Sequence, residues 1–227
     1  FMECLEKRGD PVANTAEPLT ADERRAHPAG LLRDPAREKR LVEFALFQQQ
    51  EMADHVAAMA AACRRGTDGK KLVLMFYGYS FIFSAVSNGA PTSGHYALSS
   101  LLKSKDIDIL CSPREYVDRG WLGTYSSMTA AESVKQAGIL WLNEDDTRTY
   151  LAITRSDHLA DIGQTRQVMR SNTAQDAIRG MGCWWMDLLG NWFNDARIWV
   201  EMSLLNPVDV ALLDRKKPYT PEIAAII

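Results

Sequence analysis

Apolar residues fall along this chain in blocks that alternate between two patterns. Residues 34–65 carry apolar side chains at helical spacing with charged residues between them, and Asp34-Pro35 supplies an N-cap followed by a proline at the first helical position. This spacing predicts a long amphipathic helix, ended by Gly66 and Gly69. The run KLVLMFYGY (71–79) is compact, apolar and bounded by turn residues, which reads as a buried strand. A Gly/Pro/Ser loop, a short helix at 95–105 and a second strand, DIDILCSP (106–113), follow. A long loop over 114–127 then leads to a helix at 129–137, the strand GILWLNE (138–144), a helix at 164–179, the strand GMGCWWMDL (180–188) and a last helix at 194–214.

Four strands that are apolar along their length, separated by helices, predict an α/β fold whose parallel strands are covered on both faces. No GxGxxG or GxxxxGK[ST] motif follows any of them, which removes the usual sign of a nucleotide-binding doubly wound sheet. A (β/α)8 barrel of the TIM type fits better, and there the chemistry sits at the C-terminal ends of the strands. Those ends read Tyr77-Gly78-Tyr79, Ser112-Pro113-Arg114-Glu115-Tyr116, Asn143-Glu144-Asp145-Asp146 and Trp184-Trp185-Met186-Asp187.

Composition narrows the partners. The chain has 227 residues, 46% hydrophobic and 24% charged, which is enough for a sizeable core. A net charge of -3 spread over mixed-sign helices leaves no basic stripe, so no nucleic acid and no anionic membrane surface is expected as a partner. No apolar run approaches the roughly 18 residues of a membrane span, and FMECLEKRGDPV lacks the apolar middle of a signal peptide. Cys4, Cys63, Cys111 and Cys183 show no CxxC spacing and read as reduced thiols, which favours the cytoplasm; Cys111 and Cys183, inside strands, read as small buried hydrophobes. His27, His55 and His158 have no metal-ligating companion at i+3 or i+4, so neither a metal nor a cofactor is expected. His95, after Ser93-Gly94, is assigned to capping or packing at a helix start.

The candidate chemistry lies where an apolar strand runs into Glu144, Asp145 and Asp146. Acids there are either first-turn residues stabilised by a helix N-terminus, worth about 0.3–1 kcal/mol each, or catalytic groups. The helix-start explanation suits Asp145 and Asp146 better than Glu144, since the last residue of a barrel strand points into the pocket. Arg148, four residues on, is placed either to hold Glu144 ionised or to pair with Asp145 or Asp146. Trp184, Trp185, Trp192 and Trp199 crowd one region, and Trp199, mid-helix, is expected in the core. Trp184 and Trp185 straddle the two faces of a strand, and Asp187 shares the face of Trp185, making Trp185 and Asp187 the preferred pair for a ligand. Tyr77 and Tyr79 share a face, where they either donate to ligand hydroxyls or end the strand.

The segments SGHYALSSLL, DIDILCSPREYVDRG, GILWLNEDDTRTYL and GMGCWWMDLLGNWFND resemble the second half of the catalytic barrel in β-galactosidase-like proteins of glycoside hydrolase family 42, clan A. The resemblance runs from about Pro18 to the C-terminus, and LWLNEDDTRT is its most specific part. It implies that 34–217 supply strands five to eight of the barrel, that 1–33 are a polar lead-in, and that 218–227 begin a following domain, flavodoxin-like and associated with trimer formation. GILWLNE becomes the seventh strand and Glu144 takes the nucleophile position. The same resemblance places Tyr77, Tyr79, Tyr116, Arg148, Trp184, Trp185 and Asp187 around an oligosaccharide or glycoside substrate. The acid/base of the clan lies in an Asn-Glu pair after strand four; Asn143-Glu144 is the only such dipeptide here, so strands one to four and the acid/base are expected outside this segment.

Three functional classes follow: a retaining exo-glycosidase, a non-catalytic carbohydrate-binding or scaffold relative that has lost its acid/base, and a metal-dependent barrel enzyme gripping Mg²⁺ through the three acids. Adjacent strand residues point in opposite directions, which makes the last a poor cage. Half a barrel leaves two open edge strands and an unpaired inner sheet face. Expressed alone, residues 1–227 are therefore expected to aggregate or bind a partner; a monodisperse monomer by size-exclusion chromatography that melts cooperatively would overturn the barrel assignment.

Overall fold

The computed structural model describes residues 1–7, 9, 17–25, 34, 36–86, 89–155 and 157–214. His27, Pro35 and the expected tail element at 218–227 lie outside them. Helices and strands alternate in an α/β chain that divides into two compact units, Phe1–Asp108 and Ile109–Ile227. No helix among the described residues is long and apolar enough to cross a membrane.

In the first unit, α1 (Met2–Lys7) and α2 (Ala21–Arg25) form within the expected lead-in. A capping box explains α2: Glu23 donates its backbone N–H to the Thr20 hydroxyl at 3.2 Å, and the Thr20 N–H donates to the Glu23 carboxylate at 2.8 Å. The long helix α3 (Lys39–Gly66) begins after Asp34, not at it. The Asp34 carboxylate accepts from the Ala36 N–H in a preceding turn, so the residue caps that turn instead. Phe44, Gln49, Ala53, Val56 and Ala60 form the buried stripe of α3, and Asp68 and Gly69 end the chain's helical course in the left-handed region. The strand β1 (Leu74–Phe76) is followed by three short helices, α4 (Ser80–Ala85), α5 (Gly89–Thr92) and α6 (Leu98–Leu101), across the segment expected to hold one loop and one helix.

The second unit is built on β2 (Ile109–Pro113), β3 (Leu140–Asp145) and β4 (Gly182–Trp185), parallel throughout, with β3 in the middle. Parallel neighbours need a crossover, supplied by α7 (Ala131–Gln136) and α8 (Ile162–Arg179). Asp161 caps α8 by accepting from the Gln164 N–H at 2.8 Å, and Gly180, at φ 65°, ends it in the left-handed conformation that glycine adopts without strain. The last helix, α9 (Ala196–Leu213), packs on α8, and Met169, Trp192, Phe193, Ala152 and Ile198 make the core there.

Trp199 is not in that core: it is 59% exposed. Its neighbour Ile198 faces the core, and a step of one residue turns the helix by about 100°, which carries the indole to the outside. Coverage of the strands is also unequal. The side toward α8 is closed, whereas Leu140 is 42% exposed and all of β4 is only half-buried, so the expectation of full cover on both faces does not hold.

What closes the α8 side is polar. Trp141, Asn143 and Asp145 share it: Asn143 donates to Asp176 at 2.7 Å, and Asn172 donates to Asp145 at 2.7 Å, both partners lying on α8. Arg114, buried at the end of β2, joins them, with Nε to Asp145 at 3.0 Å, Nη2 to Asp176 at 2.5 Å and Nη1 to the Tyr125 carbonyl at 3.1 Å. No helix starts at the three acids; α8 begins at Ile162 with its own cap. The helix-start assignment of Asp145 and Asp146 is thereby overturned, because arginines and not a helix dipole compensate their charge.

Burial pushes Asp176 up to about 6, against the pull of Arg114 and the Asn143 amide. A carboxyl raised in the folded state holds its proton better folded than unfolded, so its contribution is complete below the unfolded value near 3.8 and is lost as pH rises through about 6. Arg114→Met should cost about 3–5 kcal/mol at pH 7, where two buried carboxylates are left without their cation, and less at pH 5, where Asp176 takes up a proton. Urea unfolding followed by tryptophan fluorescence at the two pH values checks both size and direction.

Candidate active site

Because Asn143 and Asp145 are committed to α8, the strand's period of two turns Leu142 and Glu144 to the other face. Register places Pro113 of β2 and Trp184 of β4 directly beside Glu144. On this face the Trp184 indole N–H donates to the Cys111 sulfur at 3.4 Å. Burial raises the Cys111 thiol to about 11, so it stays protonated. Gly182 lies opposite Leu142, where a Cβ would come within 2.9 Å of the leucine side chain; the missing side chain lets β4 approach.

Glu144 is 9% exposed, and among the described residues its carboxylate accepts no hydrogen bond. Burial, and then the charge of Asp146, raise its pKa above the ordinary carboxylate range, while Arg119 pulls the other way. Arg119 pairs through Nη1 with Asp146, both nearly enclosed, and its guanidinium lies 4.4 Å from the centre of the Tyr116 ring. The pairing expected of Arg148 is different: it binds Asp157, which lies within 3.9 Å of Arg119 Nε, and takes none of the three acids. The turns after β3 carry Arg148 toward Asp157, nine residues on, and leave Asp146 to Arg119.

Arg119 and Tyr116 are held by a loop that is irregular but tightly bonded. Glu115 N–H donates to the Ser126 carbonyl at 2.9 Å, Tyr125 N–H to the Asp118 carbonyl at 3.2 Å, and Thr124 N–H to the Asp118 carboxylate at 3.0 Å. Leu122 and Tyr125 sit at φ 65° and 50°, non-glycine residues in the left-handed region, a cost of about 1–3 kcal/mol each that persists only where surrounding bonds over-determine the backbone. Nothing in the local pattern of DRG marked Arg119 in advance. Its partner Asp146 is 27 residues away in sequence and meets it only through the fold.

The two tryptophans exchange roles. Trp184, not Trp185, lies on the face of Glu144; Trp185 pairs with Asp145 and packs its ring on Phe193 at 6.3 Å in the core under α8 and α9. The preferred pairing of Trp185 with Asp187 therefore fails, because register ties Trp185 to the helical side. Asp187 is exposed and accepts from the Trp192 N–H at 3.3 Å.

Tyr77 and Tyr79 belong to the first unit and share a face directed at His95, with ring centroids 5.0 and 4.7 Å from it. Tyr77 is 1% exposed; its hydroxyl, raised to about 12 by burial, accepts from the Ala97 N–H at 3.1 Å. It supports the entry to α6. His95 stacks on Phe83, and its Nδ1 accepts from the Gly78 N–H at 3.2 Å. Burial lowers it to about 4, leaving a neutral, packed imidazole.

The three acids do not converge. Asp145 is held by Arg114 on one side of the sheet and Asp146 by Arg119, and no group of three or more His, Cys, Asp or Glu suited to a metal occurs among the described residues. What remains is one enclosed carboxyl with free lone pairs, an adjacent indole and a buried cation, an arrangement able to act as a nucleophile or a proton donor. No family model, no curated protein and no solved structure matches the chain.

Proposed function

We propose that this chain is the second half of a (β/α)8 catalytic barrel in a retaining glycoside hydrolase of β-galactosidase type, with Glu144 as its nucleophile. One observation carries the reading: Glu144 lies at the C-terminal end of β3 on the face opposite α8, nearly enclosed, beside Trp184, and its carboxylate accepts no hydrogen bond among the described residues. A structural carboxylate at that depth is normally bonded, as Asp145 and Asp176 are. In the reaction a Glu144 oxygen attacks the anomeric carbon as the bond to the leaving oxygen breaks. The departing electron pair is taken by a proton from the acid/base carboxyl, and water then hydrolyses the glycosyl ester. That second carboxyl, about 5 to 5.5 Å from Glu144, comes from polypeptide outside residues 1–227. Trp184 supplies an apolar face for the sugar ring, and Tyr116 lines the same end of the sheet. The substrate is a glycoside or oligosaccharide cut at its non-reducing end; no cofactor takes part. Nucleic acid has no role, and the whole protein forms a homo-oligomer, a trimer by its resemblance.

The raised pKa of Glu144 favours one other role in the same site, that of proton donor. In the full-length polypeptide, Glu144→Gln should keep its melting temperature and lose turnover of an aryl β-galactoside by orders of magnitude. Azide added to Glu144→Ala separates the roles: an α-glycosyl azide identifies the nucleophile, a β-glycosyl azide the proton donor. Near-native activity of Glu144→Gln would remove both.

A further inference from the structure

We propose that the outer face of α9 is an interface between two copies of this chain, in which the helix packs antiparallel on itself across a two-fold axis. The inference does not rest on the reading of Glu144. From Trp199 to Ala211 the sequence WVEMSLLNPVDVA holds two charged residues, Glu201 and Asp209. A surface helix turns its charges to water and its apolar stripe to the core. α9 does the reverse. At about 100° per residue, Glu201 and Asp209 fall on the same half of the helix as Ile198, Met202 and Leu205, the half that packs against the core and α8. Glu201 is buried there, its carboxylate bound by Nε and Nη2 of Arg170 at 2.5 and 3.0 Å, and Asp209 is half-buried.

The opposite half presents Trp199, Val200, Leu204, Pro207, Val208 and Val210 to solvent, with Trp199 59%, Val200 56% and Leu204 62% exposed. Side chains of this size at these exposures leave on the order of 500 Å² of apolar surface open on one helix, and a patch of that extent marks an interaction site. Two such faces brought together bury about 1,000 Å², which is the threshold of a specific interface. The face does not suit a partner of different chemistry, because recognition of a foreign protein relies on complementary charges. Here the nearest charge, Arg197, is already paired with Asp195 at 2.6 Å.

Side-chain size along the helix selects the direction of the partner. A two-fold axis between Ser203 and Leu204 sets Trp199 of one copy over Val208 of the other, Val200 over Pro207 and Leu204 over Ser203, so that each larger side chain meets a smaller one. A parallel pair would instead stack Trp199 on Trp199 and leave a gap at Ser203. The contact is isologous and closes on itself. Where the three-fold association implied by the resemblance also forms, the same contact joins two trimers into six copies.

The test is the molar mass of the full-length polypeptide by light scattering after size-exclusion chromatography, with circular dichroism to control for folding. The wild type should contain an even number of copies. Leu204→Glu, at an exposed position, should stay folded and halve the mass. Adding Ser203→Lys to Leu204→Glu should restore the full mass, because each introduced lysine then meets the glutamate of the other copy, while neighbours one residue apart on a helix do not face each other. A wild type with one copy or an odd number overturns the proposal. So does a folded Leu204→Glu of undiminished mass, which would give the face to a different occupant, and so does a double variant that stays at half mass, which would remove the antiparallel pairing. Should Leu204→Glu fail to fold, Val200→Gln takes its place, and an undiminished mass there overturns the proposal equally.

Discussion

The second unit depends on one buried guanidinium. Arg114 leaves the end of β2, and its fork reaches Asp145 on β3, Asp176 on α8 and the Tyr125 carbonyl in the loop. Taking these charges out of water is costly, and the attraction within the pair repays it only when the remaining donors and acceptors are also satisfied. Here they are largely satisfied: Asn143 and Asn172 donate to the two carboxylates, and the Thr147 hydroxyl bonds the far oxygen of Asp145. Such a network contributes little net stability compared with an apolar core of the same shape. Its effect is to penalise every alternative register, since a slip of one residue would strand an unpaired charge.

That constraint decides where the candidate chemistry lies. With Asn143 and Asp145 fixed against α8, Glu144 has no choice of face, and Trp184 and Cys111 follow by register. The same alternation that makes Asp145 a structural residue leaves the Glu144 carboxylate without a hydrogen bond among the described residues. Neighbouring acids of similar chemistry thus take opposite parts. Asp145 is neutralised within the fold, while Glu144 keeps its lone pairs and is raised by its surroundings.

The loop between β2 and α7 links the two halves of this arrangement. It begins at Arg114, returns through Tyr125 to the same guanidinium, and carries Tyr116 and Arg119 at its middle. Leu122 and Tyr125 accept left-handed backbone to close it. The network that sets the strand register is therefore joined through one loop to the cation on Asp146, next along the chain from β3.

Long-range order was legible in the sequence wherever a segment carried its own pattern. Continuous apolar runs marked all four strands, and helical spacing marked α3, because burial of an apolar face is a local requirement written into each of those elements. The short helices α4 and α5 and the capping box of α2 escaped, being too brief for periodicity to register. Glu144 was legible for the same local reason, as an acid at the end of an apolar strand. Its environment was not. Trp184 rather than Trp185 beside it, Arg119 rather than Arg148 as the cation of Asp146, and Arg114 between Asp145 and Asp176 are pairings across 27 to 62 residues. A sequence fixes which residues alternate along a strand, but only the packed sheet decides which of the two faces meets the helices, and with it which carboxylate is neutralised and which is left free.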